Sequence, residues 1–499
     1  MTHTSDSVAY DRPRAAGVLL HPTSLPGRYG VGDLGDELIA FLDWAAGAGM
    51  RIWQTLPLNP PGYGNSPYGC LSSFAGNPLL ISPQRLLQEG LLPEEPIEAV
   101  PPFADDHVEF DRVAEYKSRL LRTAFQNVRD RDAVAQFAEE QRHWLEDFAL
   151  FMALKERAGG EPWWTWDRKL AQREPRALEK ARAELADETA FHGFVQFLFF
   201  RQWRAVREAA AARGIRIFGD VPIYVAHDSA DVWANRELFQ LDARGGPTVV
   251  AGVPPDYFSA TGQRWGNPLY RWDVMRERGF DWWIARVRAN LRLADFIRLD
   301  HFRGFAAYWE VPASEPTAMH GRWMPGPGRA LFDAMRSALG DLPLVAEDLG
   351  FITPEVHELR RAVGLPGMKI LQFGFGQPDS PHLPHRYEPA TVVYTGTHDN
   401  DTARGWFASA DAEERRIAAA YLGCADNTDI AVSMIRAAYT SVAEVAIVPV
   451  QDILGLGSEA RMNRPGAEHD NWSWRVRPGA LTAEHGAHLH RLASISGRL

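Results

Sequence analysis

The chain has 499 residues, of which 45% are hydrophobic and 23% are charged, and its formal net charge is −11. This composition is typical of a globular protein, and the negative charge argues against a nucleic-acid partner because phosphate binding needs a basic surface. Residues 1–14 are polar and no apolar run reaches the roughly 18 residues that cross a bilayer, so we expect a cytoplasmic protein without membrane contact.

Eight short apolar or β-branched runs, most of them ending at a polar or charged residue, predict β-strands. Helical patterns separate these runs, and strands that alternate with helices indicate a parallel sheet. Eight such units predict a closed (β/α)8 barrel, the TIM-barrel fold of the α/β class. The predicted strands are 17–21, 51–56, 216–221, 295–300, 342–347, 368–373, 391–395 and 445–451, and clear helical patterns are 36–48, 192–213, 281–294, 328–339, 353–363 and 430–442.

A doubly wound open sheet is the alternative fold for this pattern of elements. Such a sheet would be expected to carry a glycine-rich turn after its first strand. Here the first predicted strand continues into His21-Pro22-Thr23-Ser24-Leu25-Pro26-Gly27, which is not a turn of that kind. The sequence therefore favours the barrel.

Two long segments between the predicted strands indicate insertions in the barrel loops. Residues 59–190 follow the second strand and are mainly helical in pattern, whereas residues 225–280 follow the third strand and are rich in aromatic residues and proline. Loops on the catalytic face of a barrel accept such insertions and use them to bind substrate. We expect residues 1–499 to form one catalytic unit, because no flexible linker or repeat divides them.

Three acidic segments each follow a short apolar run that indicates a strand, and they contain Asp300, Glu347 and Asp399. The carboxyl ends of the strands are where barrel enzymes keep their catalytic residues. Carboxylates on three strands suggest acid/base and covalent chemistry on a sugar.

Arg298 and Asp300 are two residues apart in a strand, so both should face the barrel mouth. The guanidinium would orient the aspartate and favour its ionised form, which could attack an anomeric carbon. A purely structural ion pair at a strand end is the alternative. Glu347 follows an apolar run, and burial would raise its pKa, as a general acid requires.

His398 and Asp399 could hydrogen-bond the hydroxyls of a sugar, and a histidine–aspartate pair is also a possible metal site. The His-x-His pattern at His488 and His490 lies beyond every predicted strand, and the two cysteines have no metal-ligand spacing. We therefore expect neither a metal nor a cofactor.

The third predicted strand ends at Asp220, which could brace the site or bind sugar hydroxyls. In the insertion that follows, Asp256, Tyr257 and Phe258 lie on a proline-stiffened loop, and Trp265 comes shortly after them. Exposed aromatic rings on a stiff loop would stack on sugar rings, although a hydrophobic cluster within the loop is the alternative.

Several motifs in order resemble one family along nearly the whole chain. The motifs include His21-Pro22-Thr23-Ser24-Leu25-Pro26-Gly27, Trp53-Gln54-Thr55-Leu56-Pro57-Leu58, Ser66-Pro67-Tyr68, Phe74-Ala75-Gly76-Asn77-Pro78, Gln451-Asp452-Ile453-Leu454-Gly455-Leu456-Gly457, Ala460-Arg461-Met462-Asn463-Arg464-Pro465-Gly466 and Asn471-Trp472-Ser473-Trp474-Arg475. With these motifs the chain resembles the amylomaltases, the bacterial 4-α-glucanotransferases of the α-amylase clan.

The resemblance implies a role for each matching position. Asp300 matches the nucleophile, Glu347 the general acid/base, and Asp399 a third carboxylate that binds and distorts the donor sugar. The remaining implied substrate-site positions are Arg298, His398, Asp220, Tyr68, Asp256, Tyr257, Phe258, Trp265 and Asn463, with the three aromatic residues from 257 to 265 on the acceptor side.

The implied activity is transfer of an α-1,4-glucan segment to the 4-hydroxyl of another glucan or glucose, through a retaining double displacement. The implied partners are maltooligosaccharides and other α-1,4-glucans, and the chain would act as a monomer or homodimer. An α-amylase-like hydrolase remains the alternative, because water and sugar acceptors use the same carboxylates.

Overall fold

A computed structural model describes residues 14–255, 259–424, 430–467 and 469–499. Twelve strands lie in these ranges and form two sheets. The strands are β1 (Ala15–Leu19), β2 (Ile52–Gln54), β3 (Arg216–Val221), β4 (Val249–Val253), β5 (Gln263–Pro268), β6 (Phe296–Leu299), β7 (Ala307–Pro312), β8 (Arg322–Pro325), β9 (Leu344–Ala346), β10 (Gly367–Ile370), β11 (Thr391–Tyr394) and β12 (Val445–Pro449).

The larger sheet is parallel and has eight strands in the order β10-β11-β12-β1-β2-β3-β6-β9. Its two outer strands also meet, because the backbone N–H of Ala346 in β9 donates to the carbonyl of Pro366, just before β10, at 2.9 Å. This contact closes the sheet, and the predicted (β/α)8 barrel is confirmed. Each of the eight predicted strands overlaps one barrel strand, with ends that differ by a few residues.

Alternate residues of the barrel strands pack into a buried interior core. Phe218 of β3 stacks on Phe296 of β6 with ring centroids 4.2 Å apart, and Val345 and Met368 lie in the same core. Burying each large apolar side chain contributes about 1.5–3 kcal/mol. Because residues two apart share a face, the strand ends that follow these core positions direct polar side chains into the barrel mouth.

Helices accompany the barrel strands and fill the insertions. All six predicted helices are present, and the largest difference is at α9, which begins at residue 186 rather than 192 because acidic residues favour a helix start. The helices are α1 (Asp36–Gly47), α2 (Pro83–Gln88), α3 (Glu95–Glu98), α4 (Phe110–Gln126), α5 (Arg131–Glu140), α6 (Arg142–Arg157), α7 (Arg168–Ala171), α8 (Pro175–Glu184), α9 (Ala186–Ala212), α10 (Ala230–Ala234), α11 (Trp272–Glu277), α12 (Asp281–Leu293), α13 (Arg329–Leu339), α14 (Pro354–Ala362), α15 (Ala403–Ser409), α16 (Ala412–Leu422), α17 (Ile430–Thr440), α18 (Val450–Ile453) and α19 (Ala483–Ile495).

Between β2 and β3 the chain is mainly helical and packs around α9. Trp144 of α6 lies 6.0 Å from the ring of Phe200 in α9, and Trp203 of the same helix lies 6.0 Å from Trp53 in β2. One long helix therefore joins the core of the insertion to the wall of the barrel.

The second sheet is antiparallel, has the order β5-β4-β7-β8, and was not foreseen in the sequence. Strands β4 and β5 come from the segment predicted as an aromatic and proline-rich insertion. Strands β7 and β8 come from the chain between β6 and β9. A side chain at Gly252 would place its Cβ 2.4 Å from the carbonyl of Gln263, so glycine allows β4 and β5 to approach. Short strands that contain glycine and proline lack the alternating apolar pattern by which strands are recognised.

In the ranges that the structure describes, no helix combines the length and the apolar character needed to span a bilayer.

Candidate active site

Arg298 of β6 is the centre of a buried ion-pair network at the barrel mouth. It pairs in register with Asp220 of β3, and its Nη1 donates to both carboxylate oxygens of Asp220 at 2.8 and 2.9 Å. Its Nη2 lies 2.8 Å from Oδ1 of Asp300. Burial disfavours the charged guanidinium, but the two carboxylates outweigh this and raise the pKa of Arg298 well above its usual value. Arg298 and Asp300 therefore face the same side, as predicted, and the arginine orients the aspartate.

Asp220 lies beneath the site rather than on its surface, since its side chain is fully buried. Besides Arg298, it accepts a hydrogen bond from the hydroxyl of Tyr68 at 2.8 Å. Burial raises the pKa of Asp220 to about 6, although Arg298 opposes this shift. Its position supports the neighbouring groups and leaves little room for contact with a ligand.

Glu347 follows β9 and is held by two backbone donors. Its carboxyl oxygens accept hydrogen bonds from the N–H of His301 at 2.7 Å and from the N–H of Leu349 at 2.9 Å. Burial raises the pKa of Glu347 to about 8, Arg298 opposes the shift, and the nearby Asp300 reinforces it. The raised pKa agrees with the burial that was expected for this position and keeps Glu347 protonated near neutral pH.

Asp399 follows β11 and is held in its ionised form by two neighbours. Nε2 of His398 lies 3.3 Å from one carboxylate oxygen, and the amide of Asn463 donates to the other at 2.6 Å. Burial alone would raise the pKa of Asp399, but the charge and hydrogen bond of His398 and the bond from Asn463 lower it well below its usual range. A charged carboxylate with 42% of its side chain exposed can accept hydrogen bonds from sugar hydroxyls.

Tyr68 links Asp220 to His398, the neighbour of Asp399, and its ring belongs to an aromatic stack. Its ring lies parallel to that of His398 with centroids 5.0 Å apart, while the ring of Trp472 lies 5.7 Å from Tyr68 and 5.9 Å from His398. The stack fixes His398 beside Asp399, and the tyrosine hydroxyl reaches Asp220.

These groups surround one cavity of about 1450 Å³. Its polar and aromatic lining is of the kind that suits a chain of sugars. Among the predicted site residues, those that line it are Tyr68, Trp265, Arg298, Asp300, Glu347, His398, Asp399 and Asn463.

Trp265 lies on β5 of the second sheet and is 38% exposed. Its ring meets that of His301 edge-on, with centroids 4.7 Å apart, so it forms the wall next to Asp300. The predicted positions Asp256, Tyr257 and Phe258 lie outside the described residues.

Sequence reasoning gave no role to several residues of this site, among them His301, Trp472 and Arg461. Trp472 packs on Tyr68 and His398, and Arg461 donates to the backbone carbonyl of Asp399 at 2.6 Å and to that of Asn463 at 2.8 Å. Both lie in motifs that carried the family resemblance, but nothing in their spacing indicates contact with Tyr68, His398 or Asp399, which lie much earlier in the chain. In the described part of the chain, no group of three or more acidic, histidine or cysteine side chains is arranged to hold a metal ion.

A family model described as 4-alpha-glucanotransferase matches residues 20–482. The chain is 52% identical to the 4-alpha-glucanotransferase of Thermus thermophilus over 98% of its own length and 99% of that protein. It is 51% identical to the enzyme of the same name from Synechocystis, over 97% and 98% of the two chains. The chain belongs to the 4-alpha-glucanotransferase family.

The fold agrees with this membership. The structure of an amylomaltase from Streptococcus agalactiae, solved in complex with acarbose, superimposes with a TM-score of 0.95 at 39% identity, covering 97% of this chain and 99% of that one. These comparisons confirm the family that the motifs predicted. They also confirm the transferase activity of that family for this chain.

Proposed function

We propose that this glucanotransferase moves α-1,4-glucan segments by a retaining double displacement, with Asp300 as the nucleophile and Glu347 as the general acid/base. One observation carries the proposal. Asp300 and Glu347 come from adjacent strands and line one cavity; Asp300 pairs with Arg298, whereas burial raises the pKa of Glu347 to about 8. Two carboxyl groups in such different surroundings suit the two roles.

In the first step, Glu347 donates its proton to the oxygen of the scissile glycosidic bond while Asp300 attacks the anomeric carbon. The bond from the sugar to the leaving chain breaks, and an ester between the sugar and Asp300 forms. A retaining enzyme needs its two carboxyl groups roughly 5–5.5 Å apart. The backbone bond from His301 to Glu347 supports such a close approach, because His301 directly follows Asp300.

In the second step, Glu347 is a carboxylate and accepts the proton of the 4-hydroxyl on an incoming glucan. That oxygen attacks the anomeric carbon, the ester to Asp300 breaks, and a new α-1,4 bond forms. Asp399 accepts hydrogen bonds from hydroxyls of the donor sugar, which strengthen towards the oxocarbenium-like transition state. Its charged state and the fixed orientation that His398 and Asn463 impose support this role.

The aromatic wall favours sugar over water as the acceptor. Trp265 is half-exposed beside His301, and the family resemblance implies that Tyr257 and Phe258 also belong to the acceptor side. An acceptor held by stacking has a high effective molarity and displaces water. We propose that the insertions at 59–190 and 225–280 act with the barrel as one catalytic unit, since Tyr68 and Trp265 enter the cavity from them.

Maltotriose tests the proposed reaction. A transferase yields glucose together with maltodextrins longer than maltotriose, whereas a hydrolase yields only shorter products. The product ladder, read by chromatography at early times, separates the two. Absence of any product longer than maltotriose would contradict the transfer step while leaving the nucleophile and acid assignments to be tested separately.

We also propose a cytoplasmic location and no nucleic-acid partner. Cys70 is a buried free thiol, which suits a reducing compartment, and the net charge of −11 opposes binding to phosphate backbones.

A further inference from the structure

A second cavity, of about 290 Å³, lies on the outer side of the barrel wall, behind the catalytic glutamate. Met368 of β10 points into the barrel core, so Lys369 points outward. Asp348 follows Glu347 and also turns away from the catalytic cavity. Its carboxylate accepts a hydrogen bond from the N–H of Met368 at 2.8 Å. Helix α14 and the chain from Asp379 to Thr391 complete the walls.

The lining is unusually rich in charge, and its acidic groups are largely engaged. Arg360 of α14 lies 3.1 Å from Asp348 and 3.8 Å from Glu388. Arg361 lies 3.9 Å from the other oxygen of Glu388. Asp348 and Glu388 therefore form ion pairs with Arg360 and Arg361. Asp379 is the third carboxylate that lines the cavity.

Two further cations, Lys369 and Arg386, line this cavity without forming a direct ion pair in the described ranges. Within the described ranges, neither the ammonium group of Lys369 nor the guanidinium of Arg386 makes an ion pair or a side-chain hydrogen bond, although both line the cavity. Burial lowers the pKa of Lys369 and the charge of Arg360 adds to this effect, while the carboxylates of Asp348 and Glu388 oppose it. Nδ1 of His357, in the same wall, is buried without a hydrogen-bond partner in the described part of the chain.

Arg386 is exposed and Lys369 is partly buried, so water hydrates their donors until a ligand with acceptor groups replaces it. A group with several charged oxygens matches the ammonium of Lys369 and the guanidinium of Arg386 better than a neutral ligand does. A metal cation is disfavoured because the unengaged groups are mainly positive.

We propose that this cavity binds a phosphate group, with Lys369 and Arg386 as its charged ligands and His357 as an additional donor. The phosphate could be inorganic or the phosphoryl group of a sugar phosphate, since both present the same oxygens. Pro381 lines both this cavity and the catalytic one, and Asp348 is adjacent to Glu347 in sequence. A ligand here would lie against the back of the catalytic site.

Thermal unfolding of the full chain tests the proposal. We expect low-millimolar sodium phosphate to raise Tm above that in sodium chloride of equal ionic strength, because a ligand of the native state stabilises it. The rise should be lost in Arg386→Gln and in Lys369→Met. It should persist in Lys180→Met, a matched change at an exposed lysine of α8, whose nearest carboxylate is Glu184 at 3.5 Å.

Phosphate also stabilises proteins non-specifically, so the variants decide the outcome. An equal rise in wild type, Arg386→Gln and Lys369→Met would overturn the proposal, as would no rise in wild type. Arg386 is exposed, so its variant remains informative if Lys369→Met folds poorly. A larger rise with glucose 6-phosphate than with inorganic phosphate would identify a sugar phosphate as the ligand, and equal rises would identify phosphate itself.

Discussion

The backbone N–H of His301 donates to the carboxyl group of Glu347 at 2.7 Å. His301 has a left-handed backbone conformation, with φ 51° and ψ 49°, which is uncommon for a residue with a side chain and is typical of functional sites. Since His301 directly follows Asp300, one turn at the end of β6 positions both carboxyl groups that we assign to the chemistry.

The pKa of Glu347 predicts the alkaline limb of the pH profile. Burial raises this pKa to about 8, so the acid form that donates the proton is lost as the pH rises through that value. We expect kcat/KM for maltotriose to fall about tenfold per pH unit above roughly pH 8. Asp399 stays ionised throughout this range because its pKa lies well below the usual value.

The variant Glu347→Gln is the control for the alkaline limb of the pH profile. Loss of a general acid lowers the rate by about 10²–10⁴-fold, and the residual activity should no longer fall near pH 8. A limb that survives unchanged in this variant would assign the titration to another group.

Asp300→Asn should remove nearly all activity, by roughly 10⁴-fold or more, because the neutral amide cannot form the ester. The measurement is disproportionation of maltotriose. Asp333→Asn, which alters an exposed aspartate of α13 paired with Arg329, should keep wild-type activity.

A second variant separates attack from binding. In Asp300→Ala the side-chain space is open, and added azide can attack the anomeric carbon in place of the carboxylate. We expect a glucosyl azide of inverted configuration, detectable by mass spectrometry and NMR. Substantial transfer by Asp300→Asn without azide would show that another residue attacks.

The barrel, and the position of the proposed catalytic carboxylates at its strand ends, could be predicted from sequence because they depend on local patterns. A buried parallel strand is a short apolar run, and the two-residue spacing of Arg298 and Asp300 already places them on one face. The contacts that tune the site join distant segments instead. Tyr68 reaches Asp220 across 152 positions, and no local pattern in a single sequence encodes that pairing.

The second sheet was unpredictable for a related reason. β8 contains a proline and has little buried surface, and its partner β7 precedes it by about ten residues of irregular chain. Such strands form because neighbours pair with them, not because their own sequence favours them. Trp265 was recognised as a site residue, but its place on a strand that forms the cavity wall was not.

Tyr68→Phe should weaken the enzyme most at acidic pH. The change keeps the ring stacked on His398 but removes the 2.8 Å hydrogen bond to Asp220. That bond lowers the pKa of Asp220, which burial has already raised to about 6, so its loss raises the pKa further. Below the new pKa, Asp220 is protonated and pairs less well with Arg298, the residue that orients Asp300.

The expected loss for Tyr68→Phe is about tenfold to a hundredfold near pH 6, the effect of losing one hydrogen bond to a charged group. Because Asp220 ionises again as the pH rises, the loss should be smaller near pH 8. A uniform loss at all pH values would mean that the hydroxyl acts on the substrate rather than through Asp220.

Trp265→Ala should raise the ratio of hydrolysis to transfer. The indole lines the catalytic cavity beside His301, and removing it weakens the hold on the acceptor and admits water to the sugar ester on Asp300. We expect the ratio, measured as glucose released against longer maltodextrins formed, to increase several-fold while cleavage of the donor changes less.

Trp323→Ala is the matched control for this change. Trp323 lies on β8, at the opposite edge of the same sheet, and is 37% exposed against 38% for Trp265, but it is not among the residues that line the catalytic cavity. Both substitutions remove an exposed indole, so any general loss of stability should be similar. If the two variants change the ratio equally, the effect comes from the sheet as a whole; if neither does, acceptor stacking on Trp265 does not govern the choice between sugar and water.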